Sequence, residues 1–233
     1  MAKKKILVFT GAGISRESGL QTFRDSDGLW EGCSVEDVCT PMAWAKDPQR
    51  VLDFYNNRRK DVLAAEPNAA HKALVELEEH YDVSIVTQNI DDLHERAGSS
   101  NVLHLHGEIF QARNEYDDTC ENLIPWTGDM MLGDLDENGK QLRPHVVFFG
   151  EGIFNWLNAC DLTFRTRILI VCGTSLQVYP AAGLVGMSNA DDIYIVDPNA
   201  QERSYKNAKM HYVKEAATVG LPQVVKELID LEA

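Results

Sequence analysis

Short apolar runs rich in β-branched residues recur along the chain and predict strands. They lie at residues 6–10, 83–87, 102–105, 168–172 and 193–197, and each is bounded by Gly, Asp, Asn or Ser. Such runs are typical of strands that are buried on both faces. Apolar residues at helical spacing predict helices between the strands, at about 48–65, 69–80, 154–164 and 217–231. The alternation predicts an α/β fold, in which a parallel sheet carries helices on both faces.

Two segments interrupt this alternation and predict a second, smaller lobe. Residues 25–65 separate the first strand from the second, and residues 109–145 are polar with few periodic apolar positions. We therefore expect one domain over 1–233. Its large lobe comprises about 1–24, 82–108 and 146–233, and its small lobe is built from insertions at about 25–80 and 109–145. A cleft between two lobes is a common ligand site.

Composition and charge narrow the class of protein. The chain of 233 residues is 44% hydrophobic and 25% charged, which is ordinary for a globular protein, and no apolar run is long enough to span a membrane. The net charge of −14 argues against a nucleic-acid partner. The apolar run near the N-terminus is too short for a secretory signal. We expect a cytoplasmic protein with reduced cysteines and no membrane partner; the oligomeric state is open, with a monomer favoured.

A glycine-rich turn, GAGIS at 11–15, follows the first predicted strand directly. Glycines in such a turn let the backbone approach a diphosphate, whose charge a helix N-terminus favours. The spacing departs from the dinucleotide-binding fingerprint of dehydrogenases, because Arg16 stands where the third glycine belongs. A tight turn without a ligand also explains the motif. Further on, Arg24 after Phe23 either clamps a phosphate or ribose, or is a solvated surface cation.

Polar side chains follow the second and third predicted strands. Gln88, Asn89 and Asp91 can hydrogen-bond an amide such as nicotinamide, although Asn89 can equally cap a helix. Strand alternation places His104 and His106 on one face. His106, at the strand end, is suited to act as a general base. A structural histidine is the usual alternative, and no third ligand supports a His-x-His metal pair.

Small and acidic residues follow the fourth and fifth predicted strands. Gly173, Thr174 and Ser175 can donate to a phosphate, and Asp197 can hold ribose hydroxyls. Either segment can equally be a plain loop.

Taken together, these motifs are far more specific than any one of them. GAGIS with ESGLQTFR, then TQNIDDLHERAG, HLHGE, RPHVVFFGE and GTSLQVYPAAG resemble the sirtuin family in order and spacing, over about residues 5–231. The resemblance implies a Rossmann-like sheet and an NAD-consuming lysine deacylase. Its products would be nicotinamide, free lysine and 2′-O-acyl-ADP-ribose, with acyl-lysine proteins as substrates.

The resemblance also implies a role for each matching position. His106 would be the catalytic base. The NAD-binding set would comprise Gly11, Ala12, Gly13, Phe23, Arg24, Gln88, Asn89, Ile90, Asp91, Gly173, Thr174 and Ser175, with Asp197 and Ala217 as looser matches near the adenosine. A substrate strand would pair with Val146, Val147, Phe148 and Phe149, where Phe148 replaces the family's Trp.

Two other functions remain open for such a chain. An ADP-ribosyltransferase or NAD glycohydrolase would keep the NAD site without deacylation, and a product analysis separates these activities. An NAD-sensing module would need a broken site, whereas the residues matching the family's catalytic set are all present.

One departure from the family concerns metal binding. Sirtuins usually carry two Cys-x-x-Cys pairs after the HGE motif, and residues 109–145 contain only Cys120. A structural zinc needs four ligands. We therefore expect a zinc-free lobe with no metal ligands, held by packing of residues such as Phe110, Tyr116, Leu123 and Trp126.

A second feature concerns the acyl group. Tyr55 and Arg58 lie three residues apart, on one face of a predicted helix. The pair resembles the Tyr-x-x-Arg signature of sirtuins that remove acidic acyl groups such as succinyl and malonyl. A guanidinium takes a carboxylate in a two-pronged, charge-assisted bond. A solvated Arg58 beside a core Tyr55 is the alternative.

Overall fold

The computed structural model describes residues 3–21, 29–30, 33–117, 120–176, 179–205 and 208–232. In these ranges the strands are β1 (Lys5–Thr10), β2 (Leu29–Trp30), β3 (Cys33–Ser34), β4 (Asp82–Thr87), β5 (Val102–His104), β6 (Gly107–Asn114), β7 (Ile124–Pro125), β8 (Leu142–Val146), β9 (Ile168–Cys172), β10 (Asp192–Val196) and β11 (Lys209–Val213). The helices are α1 (Val35–Val38), α2 (Pro41–Lys46), α3 (Pro48–Ala64), α4 (Ala69–His80), α5 (Leu93–Ala97), α6 (Trp156–Arg165), α7 (Gly183–Met187) and α8 (Ala217–Glu232). Two short 3₁₀ helices, Ala12–Ile14 and Arg16–Ser18, follow β1.

A parallel sheet with the strand order β11-β10-β9-β1-β4-β5 confirms the predicted fold class. The five predicted strands are present with bounds shifted by at most one residue, and the long helices by at most two. The edge strand β11 was not predicted, because its residues are only partly buried and form no continuous apolar run. Such an edge strand needs an apolar face on one side at most.

Helices cover both faces of this sheet. On one face, α4 and α8 pack through residues such as Leu74, Leu77 and Leu221. On the other, α6 and α7 pack through Ala159 and Leu184. The packing of α4 corrects one boundary: residues 69–80 belong with the parallel sheet, so an insertion that builds the small lobe ends before them.

A separate apolar cluster joins α1–α3 to an antiparallel sheet of order β7-β6-β8. The paired strands β6 and β8 lie partly within residues 109–145, where the polar sequence predicted no strand. Phe110 and Trp126 pack against this cluster as predicted, but Tyr116 is 71% exposed and contributes no core packing. The cluster spans both predicted insertions, which supports the two-lobe division; that division stays a prediction.

Across the described part of the chain, the helices are all too short or too polar to cross a bilayer.

A substitution at Gly107 tests whether the close backbone contact between β6 and β8 requires a glycine. Its φ is +85°, and an added Cβ would overlap the carbonyl oxygen of His145. We expect Gly107→Ala to lower the free energy of unfolding by more than about 3 kcal/mol, since backbone strain and a clash act together. Gly133→Ala is the matched control, because Gly133 has φ +97° and open space around it; it should cost only about 1–3 kcal/mol. Denaturant unfolding compares the two, and equal losses would show that the clash is relieved at no cost.

Candidate functional site

The ends of neighbouring strands bring two glycine-containing loops into contact. From β1 the chain continues to β4 on one side, and it later returns to β9 on the other, so the crevice between β1 and β9 is the topological switch point. The amide of Gly13 donates to the carbonyl of Gly173 at 2.8 Å. A Cβ on Gly13 would lie 2.7 Å from the Gly173 Cα, and Gly173 has φ +65°. Only glycines allow this approach.

The loop after β4 is tied to the same crevice. The Gln88 amide donates to the Thr10 carbonyl at 2.9 Å, and Gln88 Nε2 donates to Thr174 Oγ1 at 3.2 Å. Because Thr10 and Cys172 are paired in register, the three loops after β1, β4 and β9 meet at one edge of the sheet.

Asn89 and Asp91 form a buried polar cluster with Ser15. Asn89 Nδ2 donates to Ser15 Oγ at 3.2 Å, and Ser15 Oγ donates to Asp91 Oδ2 at 3.1 Å. Burial raises the pKa of Asp91, partly offset by the bonds from the Leu93 amide and Ser15. Ile90 beside them is half-buried against the small-lobe cluster.

His106 follows β5 and faces this loop. Its Nδ1 lies 2.9 Å from the Gln88 carbonyl oxygen. Because a carbonyl can only accept, Nδ1 carries the ring proton and Nε2 is the basic nitrogen. Burial lowers the pKa of His106 from its usual 6.5, opposed by the Gln88 bond, so the neutral base predominates at neutral pH. The neighbouring His104 has both ring nitrogens engaged, with Asn89 O and Glu95 Oε1, which leaves neither for a metal.

A cavity lies beyond β9 and β10, next to the crevice. Thr174, Ser175 and Asp197 line it together with Arg203 and Tyr212. Thr174, Ser175 and Asp197 are the residues predicted for the adenosine side, and that role stays a prediction. Ala217 does not belong to that lining: it is 4% exposed and packs in the core cluster under the sheet.

Tyr55 and Arg58 of α3 are both buried, at 1% and 5% exposure. The Tyr55 hydroxyl donates to Cys39 Sγ at 3.5 Å, and the charge of Arg58 acts on the same thiol. Burial nevertheless raises the pKa of Cys39 to about 12. The two side chains therefore converge on Cys39, as their helical spacing predicts.

Residues 146–149 form no free strand edge. Val146 ends β8, paired with Gly107. The amides of Val147, Phe148 and Phe149 donate to His106 O at 2.9 Å, Glu151 Oε2 at 2.8 Å and Cys39 O at 2.8 Å. These three amides already donate to groups of the protein itself. The predicted pairing with a substrate backbone is therefore limited to the other backbone groups of residues 146–149.

Comparison with known proteins accords with this arrangement. The model of the Sir2 family matches residues 11–180. This protein belongs to the Sir2 family. An NAD-dependent protein deacylase of Helicobacter pylori (strain ATCC 700392 / 26695) is 48% identical, with 98% of this chain and 99% of that protein covered.

Solved structures of Sir2 homologues have the same fold. A Sir2 homologue in complex with NAD superposes with a TM-score of 0.85 at 35% identity, covering 99% of this chain and 91% of that one. A mutant Sir2 homologue in complex with 2′-O-acetyl ADP ribose has a TM-score of 0.84 at 34% identity, covering 99% and 94%.

Two of the predicted positions of this Sir2 protein, Phe23 and Arg24, lie outside the described residues. Sequence reasoning assigned no role to Ser15, Cys39, Arg143 or Glu151. Ser15, Arg143 and Glu151 stand inside motifs that identify the family, which is the one signal that pointed to them. The partners of Ser15 and Cys39 lie elsewhere in the sequence and become apparent only in the fold, whereas Arg143 pairs with Glu151 of the same motif.

Arg143 and Glu151 hold the 147–151 segment in place. Arg143 is 3% exposed, and its Nη1 donates to Glu151 Oε1 at 2.7 Å. Its guanidinium lies 3.5 Å from the Phe148 ring centroid, and Phe148 stacks on Tyr55 with 5.9 Å between the centroids. The ion pair thus fixes Phe148, which in turn packs against the tyrosine of the predicted acyl pocket.

Removing Glu151 leaves a buried guanidinium without its carboxylate. We expect Glu151→Ala to lower the free energy of unfolding by about 3 kcal/mol. The affinity for NAD should change little, since the glycine loops are untouched. Asp37→Ala removes the carboxylate from the exposed pair with Arg50 and should cost less than about 1 kcal/mol. Denaturant unfolding with calorimetric NAD titration checks both variants; equal small losses would mean that Arg143 is solvated.

Proposed function

We propose that this protein is an NAD-dependent protein deacylase that transfers acyl groups from lysine side chains to ADP-ribose. The observation that carries the proposal is the bond between His106 Nδ1 and Gln88 O, which makes Nε2 the basic nitrogen beside the loop after β4. The deacylase name of the Helicobacter pylori relative supports the same activity. So does the 2′-O-acetyl ADP ribose in the solved Sir2 homologue.

The residues at the crevice fit NAD. The glycine contact brings the backbone of two loops together where open α/β sheets bind dinucleotides. Thr174, Ser175 and the Asp197 carboxylate line one cavity and can hold ribose hydroxyls. Asn89 and the buried Asp91 present amide and carboxyl groups to the nicotinamide side. When bound, NAD supplies a ribose carbon that becomes electrophilic as nicotinamide leaves.

The protein's own part in the reaction is to orient groups and accept a proton. His106 Nε2 would accept the proton that a ribose hydroxyl of NAD gives up, while Nδ1 remains bonded to Gln88 O and holds the ring. The basic form of His106 is present above its lowered pKa, so activity is lost as the pH falls through that value.

Replacing the base tests its role. We expect His106→Ala to lower the rate of deacylation by about 10²–10⁴-fold, the usual effect of a positioned acid–base group. NAD should still bind, because the contact between Gly13 and Gly173 does not involve the lost ring. The assay follows acyl-lysine peptides and products by mass, which also separates deacylation from ADP-ribose transfer and NAD hydrolysis. His80→Ala, at an exposed histidine of α4, is the control. A wild-type rate in the folded His106 variant would disprove the assignment.

We also propose that acidic acyl groups, such as succinyl and malonyl, are preferred substrates. The support is the burial of Arg58 and its convergence with Tyr55 on Cys39. Asp61, whose side chain is exposed, lies 3.7 Å from the Arg58 Nη1. A buried guanidinium gains more from a carboxylate that is desolvated with it, whereas an acetyl group offers no charge.

Arg58→Met tests this preference. The succinyl rate should fall by about 1.5–3 kcal/mol of transition-state stabilisation, the energy of a charge-assisted hydrogen bond. The acetyl rate should be largely retained. Arg50→Met removes an exposed arginine of the same helix and should affect neither. The measurement is kcat/KM on matched succinyl- and acetyl-lysine peptides. Equal losses on both would assign Arg58 to the fold or the cofactor instead.

We further propose that the small lobe needs no zinc. The support is the sequence, in which residues 109–145 contain only Cys120. Protein contacts take that structural role. The buried Arg59 donates to the carbonyls of Ile109 and Gly128 at 3.1 Å, and the side chain of Asn56 bonds both backbone groups of Met130.

A further inference from the structure

His104 lies beside the base and has a partner on each ring nitrogen. Its Nδ1 is 2.8 Å from the Asn89 carbonyl oxygen, and its Nε2 is 2.9 Å from Glu95 Oε1. A carbonyl and a carboxylate can only accept hydrogen bonds, so each nitrogen has to carry a proton. The ring is therefore satisfied only as an imidazolium, although it is 7% exposed.

Two histidines of one strand end thus hold two successive carbonyls of one loop. His106 bonds Gln88 O, and His104 bonds Asn89 O. The same loop carries the Asn89–Ser15–Asp91 cluster. A shift at Asn89 O would move Gln88 O with it, because the two carbonyls belong to adjacent peptide groups that share the Asn89 Cα. The direction in which His106 Nε2 points depends on that carbonyl.

We infer that His104 is a positioning residue, held as an imidazolium by Glu95, which fixes the Asn89 carbonyl and thereby orients the loop that binds NAD and holds His106. This inference rests on the proposed function. His104 touches neither the substrate nor the reacting atoms; it acts through Asn89.

The charges around His104 favour the protonated ring. Burial lowers its pKa, but the bond to Glu95, the charge of Glu95, the Asn89 carbonyl and the charge of Glu108 together raise it above 6.5. Asp91 also faces the ring. Opposing these are His94 and His145, but burial lowers the pKa of both, to about 4 for His145, so they are neutral in this range.

The sign of the pH effect follows from the raised pKa. The stabilisation by protonated His104 is fully present below the ordinary value of 6.5 and is lost as the pH rises through the raised value. A neutral ring keeps one N–H and must give up one of its two bonds. Activity should therefore decline at low pH, where His106 becomes protonated, and at high pH, where His104 loses one of its two ring protons.

Glu95→Gln removes the carboxylate and keeps the shape of the side chain. The alkaline limb of kcat/KM should move to a pH lower by about one, whereas the acid limb stays in place. Glu108→Gln is the matched control: it removes an equal charge from the surroundings of His104 without breaking a bond to the ring, and should move the limb by less than half as much. His104→Gln should lower kcat/KM for NAD by about 10-fold or more and abolish the alkaline limb.

The charge state is read directly by ¹⁵N NMR of the histidine rings in the wild-type protein. Two protonated nitrogens on His104 at pH 6.5 are expected, against one on His106. NAD affinity is measured over the same pH range, so the test is decided even if no acyl peptide is turned over. A singly protonated His104 at pH 6.5 would overturn the inference. So would a Glu95→Gln variant whose NAD affinity and pH profile match the wild type.

Discussion

The backbone contact between Gly13 and Gly173 is the constraint on which the site depends. It exists because β1 and β9 are neighbours in register, with Thr10 opposite Cys172, and because neither loop carries a Cβ at the point of contact. A larger residue at either position would push the loops apart. The Gln88 loop would lose its place with them, because it is bonded to Thr10 on one side and to Thr174 on the other. The loops after β1, β4 and β9 therefore form one site only while Gly13 and Gly173 remain in contact.

His106 connects that site to the rest of the molecule. Its ring bonds the Gln88 carbonyl, and its own carbonyl accepts from the Val147 amide at 2.9 Å. Gly107 follows it and begins the strand that pairs with β8. His106 therefore sits where the parallel sheet ends and the antiparallel sheet begins. The loop after β4 and the 147–151 segment are positioned relative to each other through this one residue.

Most of the fold could be predicted from the sequence, because strands buried on both faces give continuous apolar runs and helices give a regular apolar period. β11 was missed since an edge strand is not apolar throughout, and β6 and β8 were missed because buried Arg113 and Arg143 make that sheet look polar. For the site, the motifs predicted the residues that the strand ends bring together. The role of Ala217 near the adenosine stays a prediction, because the motif match does not reveal that its side chain packs in the core under the sheet.

Contacts that form only in the fold explain why two histidines of one motif have different pKa values. His104 and His106 are the same residue type, two positions apart, yet their pKa values move in opposite directions from 6.5. Both are buried and both bond a loop carbonyl. The difference is the carboxylate of Glu95, which reaches His104 from α5. Environments that separate the pKa values of neighbouring groups are how one strand end supplies a fixed charge and a free base at the same pH. That separation depends on a helix packed across the strand, which no spacing within HLHGE encodes.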